Sequence, residues 1–326
     1  CDEIESYNDS PAELIYDEFE NILFKGSSLG HNILGTAEQV RSFTTEDALR
    51  FTRKLYRPDN AIFFAYGDID FKKLVKLVGR ALADDDSGKL AAEKLPQISQ
   101  ITQISRDENP VATEKSVSSV ESVGPKNYSS VGPKNYPSVG NEMAGQTIVM
   151  EKNTHQAHVM IGTRAYDVND DRRMPLYLLN NILGGPGMNA KLNLALREHN
   201  GLVYTVESTM VAYGDTGTWS IYFGCDEHDI KRCLRLVRKE LDRMMEKPLS
   251  DSQLKAAKKQ IKGQIGVACD NRENFALDFG KSFLHYGWEK NVDCLYEQVE
   301  AITSQQIQDV ARELFDKDRL ITLIFK

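Results

Sequence analysis

Histidines are the first candidates for chemistry in this chain, because neutral imidazole binds metals and transfers protons near pH 7. The chain has six of them: His31, His155, His158, His199, His228 and His285. His155 and His158 are three residues apart, a spacing that places two ligands on one face of a helix. The apolar run at residues 158–162 predicts a strand instead, where positions three apart point to opposite faces. We therefore interpret this pair as structural.

Two other motifs have the composition of binding sites. Residues 184–187 read Gly-Gly-Pro-Gly but lack the Lys-Ser/Thr of a phosphate loop and follow a helical pattern, so a turn between helices is favoured. Four lysines, at positions 255, 258, 259 and 262, lie on one predicted helix. Because the chain is acidic overall, a solvated helix face is favoured over a nucleic-acid patch.

Composition limits the classes of protein to consider. The chain has 326 residues, with 40 Lys+Arg and 48 Asp+Glu, and a formal net charge of −8. This length predicts two domains, and the charge argues against binding to nucleic acid or anionic membranes. No apolar stretch is long enough for a transmembrane helix.

The five cysteines have no CxxC spacing, so we expect free thiols in a reducing, cytoplasmic setting. The chain begins at Cys1 without a targeting signal, which says little about a longer parent.

The elements that would position these residues follow from the hydrophobic pattern. Ser10-Pro11-Ala12-Glu13 predicts a helix start with a capping box. The continuous apolar run at 61–66 predicts a buried strand. Further strands are predicted at 147–151, 158–162, 202–211, 217–223 and 320–325, with helices between them. This order favours the α+β class, with helices packed on one face of a largely antiparallel sheet.

An internal repeat predicts the domain organisation. Residues 43–47 align without gaps on residues 302–306, and the following helix ends and strands align at the same offset. Both copies carry a capping box, which begins at Thr44 in the first copy and at Thr303 in the second. We therefore predict two homologous domains, of which the first is truncated at its N-terminus. Residues 1–90 form the C-terminal part of the first domain, and 144–326 form a complete second domain. Residues 91–143 are predicted to be a linker or insertion, and the six residues 123–128 recur in it at 131–136.

Several short words, in order along the chain, resemble the insulinase/pitrilysin superfamily of zinc metallopeptidases, also called inverzincins. The similarity is greatest to its processing-peptidase-like bacterial branch. The words are EIESYNDSPAEL at 3–14, LGHNILG at 29–35, YRPDN at 56–60, LGG at 183–185 and REHNGLVY at 197–204. Each word alone has moderate specificity, whereas their order over 200 residues is specific. The resemblance implies a zinc-dependent endopeptidase that hydrolyses peptides with metal-activated water.

The resemblance also implies site residues. In this family an inverted His-x-x-Glu-His helix supplies two zinc ligands and the general base, but the present sequence contains no such motif. The resemblance places Glu3 at the third zinc ligand. It places Arg197 and Tyr204 at the residues that hold substrate backbone and stabilise the oxyanion. Gly201 lies between them and predicts the end of the helix that carries Arg197. We therefore expect zinc in the intact parent and none in this chain, which is expected to be inactive alone.

An alternative function stays open. The chain is either part of an active peptidase or a non-catalytic homologous subunit that presents peptide to an active partner. The presence of Glu3, Arg197 and Tyr204 favours descent from an active enzyme or a complementing partner. The expected partners are a peptide or unfolded protein substrate and a second copy or homologous subunit, without nucleic acid or membrane.

Overall fold

A computed structural model describes residues 1–83, 143–287 and 291–326. Packing divides the chain into two compact units. The sheet unit comprises Cys1–Phe43, Pro133–Asp270 and Asn291–Lys326, and the helical unit comprises Thr44–Gly132 and Asn271–Lys290. The predicted linker 91–143 and its tandem repeat lie, apart from Met143, outside the described residues. The predicted domain boundaries express homology rather than packing, and they stay a prediction.

Eleven α-helices and five strands are assigned in the described residues. The helices are α1 Asp2–Asn8, α2 Pro11–Leu23, α3 Ala37–Ser42, α4 Thr45–Leu55, α5 Phe71–Ala83, α6 Arg173–Gly184, α7 Ile230–Glu246, α8 Asp251–Asp270, α9 Arg272–Tyr286, α10 Val292–Ala301 and α11 Ser304–Leu314. The strands are β1 Thr147–Met150, β2 Ala157–Ala165, β3 Val203–Ala212, β4 Gly217–Cys225 and β5 Ile321–Phe325. No helix in the described ranges is long and apolar enough to cross a membrane.

The five strands form one sheet in the order β1-β5-β2-β4-β3. All neighbouring pairs are antiparallel except β1 and β5, which run parallel. The five strands predicted from residue 145 onward are therefore confirmed, and so is the α+β class. One face of the sheet contributes Trp219, Ile221 and Phe223 to the large core beneath the later helices. Trp219 lies at the centre, with its ring centroid 4.4 Å from that of Phe315.

The opposite face of the sheet is also covered, which differs from the expected single helical face. Helix α2 buries Leu14, Ile15, Phe19 and Leu23 against Met160 and the outward residues of β5. Consecutive residues of β2 are consequently buried on both faces, as is usual for a strand between two layers. The periodicity of the strands alone does not identify α2 as the covering element, because α2 precedes the strands by more than a hundred residues.

The start of α2 differs in detail from its prediction. Pro11 occupies the first helical position and Ser10 is the N-cap, as predicted. The Ser10 side chain makes no capping hydrogen bond, however, so the predicted capping box is absent. At its other end the helix is fixed by Arg164, which donates from Nε and Nη2 to the Leu23 carbonyl at 3.0 and 2.8 Å. Packing and this long-range contact therefore hold α2 in place.

The helical unit contains the one predicted strand that does not form. Residues 61–66 are assigned no strand, although the backbone at Ala61 is extended. The described part of this unit has no other strand, so ladder hydrogen bonds are not available there. Two aromatic rings of the run contact α9 instead: the ring of Phe64 lies 5.1 Å from that of Phe279, and Tyr66 makes a second ring contact with the same helix. None of the six side chains is buried, so the predicted burial is also wrong. An apolar run thus identified a segment that packs, but not the hydrogen-bond partner that a strand requires.

Candidate functional site

Arg197 lies in a widened helical turn. In the segment Asn193–Glu198 the His199 N–H donates to the carbonyl of Leu194 at 3.0 Å, a π-helical spacing of five residues. Such turns are frequent at functional sites. The turn stops at Gly201, whose φ of 60° is costly for other residues and whose N–H donates to the Arg197 carbonyl at 2.8 Å. The predicted helix stop at Gly201 is confirmed, whereas the π-helical form was not predicted.

Tyr204 lies in a β-bulge at the start of β3. Val203 pairs with Cys225 and Val206 pairs with Phe223, so β3 advances three residues while β4 advances two. A bulge interrupts the alternation of side chains and redirects one of them. Tyr204 is 84% exposed although it belongs to a strand of the sheet. Its side chain is therefore available for binding rather than for packing.

The structure brings Arg197 and Tyr204 together. The guanidinium carbon of Arg197 lies 5.8 Å from the centroid of the Tyr204 ring, within the range of a cation–π interaction. Arg197 is 46% exposed, and its Nε lies 3.8 Å from a carboxylate oxygen of Glu198. Stacking on the ring face engages neither the tyrosine hydroxyl nor the edge of the guanidinium. Both remain able to donate hydrogen bonds to carbonyl or carboxylate oxygens.

Glu3 lies in the first turn of α1, and its side chain is exposed. Within the described ranges, one group has three ligand atoms within 4.8 Å of one another, formed by Asp226, His228 and Asp229. This group, in which two of the three residues are exposed, does not include Glu3 and has one histidine, so it is not the two-histidine, one-glutamate set of the resembled family. A catalytic zinc site needs three protein ligands, and the resemblance places only Glu3 of the family's three in this chain. The residues present therefore do not make up that site.

The two closely spaced histidines do not form a site. His155 is exposed in the bend before β2, whereas His158 lies within the strand. The Nδ1 atom of His158 is 2.9 Å from the Tyr222 hydroxyl, and burial lowers the pKa of this histidine. Its ring is therefore engaged within the fold, in agreement with the structural interpretation.

Comparison with known sequences gives the family. The profile of a family described as "Peptidase M16 inactive domain" matches residues 42–261. A relative from Streptomyces coelicolor, named an uncharacterized zinc protease, is 28% identical over 99% of this chain. A relative from Bacillus subtilis with the same description is 25% identical, also over 99%. The chain spans 62% and 68% of the lengths of these two proteins.

Comparison with solved structures agrees on the fold. A protease from Helicobacter pylori superposes with a TM-score of 0.71 at 17% identity, over 98% of this chain and 68% of that one. A peptidase M16 inactive domain from Pseudomonas fluorescens gives 0.67 at 16% identity, over 98% and 67%. At this identity the similarity concerns the fold alone. The family profile covers more than half of the chain, and the chain therefore belongs to the peptidase M16 family, within the insulinase/pitrilysin superfamily.

Proposed function

We propose that this chain is the substrate-holding part of a zinc-dependent M16 endopeptidase, in which Arg197 and Tyr204 donate hydrogen bonds to the bound peptide. The observation that carries the proposal is the contact between these two exposed side chains, in which the guanidinium carbon of Arg197 lies 5.8 Å from the centroid of the Tyr204 ring. Two irregular elements, a π-helical turn and a β-bulge, converge on that contact. The family and the names of the relatives supply the reaction class, which is peptide hydrolysis.

The chemistry of the pair suits that reaction. Negative charge develops on the carbonyl oxygen as a peptide bond is attacked, and donors already in position stabilise it more than they stabilise the substrate. Arg197 contributes a permanent positive charge, and Tyr204 contributes a hydroxyl on a rigid ring. The guanidinium also has enough donors to hold a second oxygen of the substrate backbone. The pair thus serves both binding and the transition state.

This chain does not supply the remaining catalytic groups. It contains no His-x-x-Glu-His sequence. We therefore propose that the isolated chain binds peptide but does not hydrolyse it. Glu3 is proposed as one zinc ligand of the full-length protein, and its exposure on α1 leaves the carboxylate accessible. A second copy or a homologous subunit is the proposed protein partner.

Kinetics of the full-length gene product test the role of the pair. Tyr204→Phe keeps the ring and its stacking on Arg197 but deletes the hydroxyl. Removal of one oxyanion donor typically costs about 10²–10³-fold in kcat, and we expect a loss of that order with little change in Tm. Arg197→Ala also removes a substrate contact and is expected to raise KM as well. Tyr56→Phe is the matched control, because Tyr56 is similarly exposed at 77% but lies in the helical unit.

Two results would change the proposal. If both variants keep the wild-type kcat and KM while folded, the pair has no part in the reaction. If no form of the protein hydrolyses peptide, but peptide binding weakens in both variants, the pair belongs to a substrate-presenting subunit. Peptide binding to this chain, measured by fluorescence anisotropy with the same variants and control, separates these results.

A further inference from the structure

Asn200 lies between Arg197 and Tyr204 in the sequence and links their turn to a neighbouring helix. Its Nδ2 atom donates to the carbonyl of Ala195 at 2.8 Å. Its Oδ1 atom accepts from Nη2 of Arg232 at 2.9 Å. A carboxamide donates and accepts at the same time, which a carboxylate or an aliphatic side chain cannot do. The residue type therefore matches its two contacts.

The first contact completes the hydrogen bonding of the π-helical turn. The last carbonyls of any helix lack partners within the helix. Here Leu194 accepts from the His199 N–H at 3.0 Å, Leu196 from the Leu202 N–H at 2.9 Å, and Arg197 from the Gly201 N–H at 2.8 Å. The Ala195 carbonyl receives the Asn200 side chain instead. Without it, this carbonyl would be the unpaired member of the series.

The second contact anchors the turn to a rigid element. Arg232 lies in the first turn of α7, which is held against the sheet by the buried side chains of Cys233 and Val237. The same core contains Cys225 of β4, the residue that pairs with Val203 directly before Tyr204. Helix α7 therefore contacts the turn of Arg197 through Asn200 and supports the bulge of Tyr204 through the core.

We propose that Asn200, held by Arg232, is a positioning residue that keeps Arg197 against the ring of Tyr204. The inference rests on the proposed function of that pair. A π-helical turn is less common than an α-helical one and persists where local contacts favour it. Loss of the Asn200 contacts releases the turn toward α-helical spacing, which rotates Arg197 about the helix axis and away from Tyr204.

Amide hydrogen exchange in this chain tests the positioning independently of catalysis. Asn200→Ala removes both contacts, whereas Asn200→Asp retains an acceptor for Arg232 and loses the donor to Ala195. We expect the amides of His199, Gly201 and Leu202 to exchange at least about tenfold faster in both variants, since the hydrogen bonds that protect them depend on the closed turn. Asn60→Ala is the matched control, because Asn60 donates to the Leu55 carbonyl five residues earlier, at 3.0 Å, in the helical unit. Unchanged exchange at these three amides in both Asn200 variants overturns the inference.

Kinetics of the full-length gene product test the link to Arg197. Asn200→Ala is expected to lower kcat about tenfold in the wild-type background and to cause little further loss in the Arg197→Ala background, where no guanidinium is left to position. Arg232→Ala is expected to follow the same pattern. Equal losses in both backgrounds would show that Asn200 acts independently of Arg197, and would overturn the inference. If Arg197→Ala itself has no effect, the proposed function fails, and the exchange measurement alone decides the positioning.

Discussion

Glu20 of α2 is a carboxyl group that folding removes partly from water. Its carboxylate accepts hydrogen bonds from the Tyr213 hydroxyl at 3.0 and 3.2 Å. Burial raises the pKa of Glu20, while the bond from Tyr213 acts in the opposite direction and Asp17 adds a smaller increase. Desolvation therefore outweighs the hydrogen bond, and the ionised carboxylate is less favourable in the folded chain than in the unfolded one.

This imbalance predicts a pH dependence of stability. A group whose folded pKa is raised stabilises the fold below its unfolded pKa, and that contribution is lost as pH rises through the folded value. Glu20→Gln stays neutral and can still accept from Tyr213. The unfolding free energy of wild type minus that of Glu20→Gln should therefore decrease from acidic pH toward neutral pH. Urea unfolding of both proteins at a series of pH values measures this difference. A constant difference would mean that Glu20 has the same pKa in both states.

The residue scale is also where the sequence was least informative about the candidate site. Arg197 and Tyr204 were identified through a resemblance, and Gly201 through the rule that glycine ends helices. The π-helical turn and the bulge each insert one residue into a regular element. A hydrophobic pattern places the ends of an element only to within about two to four residues, so it does not reveal such an insertion. Asn200 precedes Gly201 at a helix end, where asparagine commonly bonds to nearby backbone. That signal was present but did not indicate Arg232, which is distant in the sequence.

At the scale of elements, the repeated helix starts show how local chemistry can be read from sequence. Thr303 caps α11, accepting from the Gln306 N–H at 3.2 Å while the Gln306 side chain accepts from the Thr303 N–H at 2.8 Å. Thr44 caps α4 with Asp47 in the same arrangement. Both capping boxes involve residues three apart, so the sequence predicted them. Docking of α2 on the sheet depends on residues far apart, and the sequence did not predict it.

These two caps predict different costs for the same substitution. Thr303→Ala should destabilise the sheet unit by about 1 kcal/mol, because α11 buries Ile307, Val310 and Leu314 in the core. Thr44→Ala should leave the unfolding transition of the sheet unit unchanged, since α4 buries none of its residues and belongs to the helical unit. Thr303→Ser retains a capping oxygen and serves as the control. Chemical denaturation in a Trp288→Phe background, followed by far-ultraviolet circular dichroism and by Trp219 fluorescence, distinguishes the two positions. Equal shifts of the midpoint reported by Trp219 would contradict the expected difference.

At the scale of the molecule, the sheet unit joins segments that are distant in the sequence. Residues 1–43 contribute α2 to one face of a sheet whose strands all lie after residue 146. The contact combines an apolar cluster with polar bonds at both sides, including the Tyr16 hydroxyl on Glu207 and Arg164 on the Leu23 carbonyl. Because most of the stability of a domain comes from buried apolar surface, this face should unfold together with the rest of the sheet.

Phe19 provides the test of that cooperativity. It is 1% exposed and lies in the cluster between α2 and the sheet. Phe19→Ala leaves a cavity and is expected to cost about 3–5 kcal/mol. If α2 and the sheet unfold as one body, the full loss appears in the transition reported by Trp219, which lies on the opposite face of the sheet. The measurement uses Trp219 fluorescence in a Trp288→Phe background, so that one tryptophan reports.

Phe63→Ala, at a 68% exposed position of the helical unit, is the control and should change the free energy of the same transition by no more than about 0.5 kcal/mol. If α2 instead unfolds separately, the Trp219 transition keeps its wild-type midpoint in Phe19→Ala, and the outer face contributes little to the stability of the sheet.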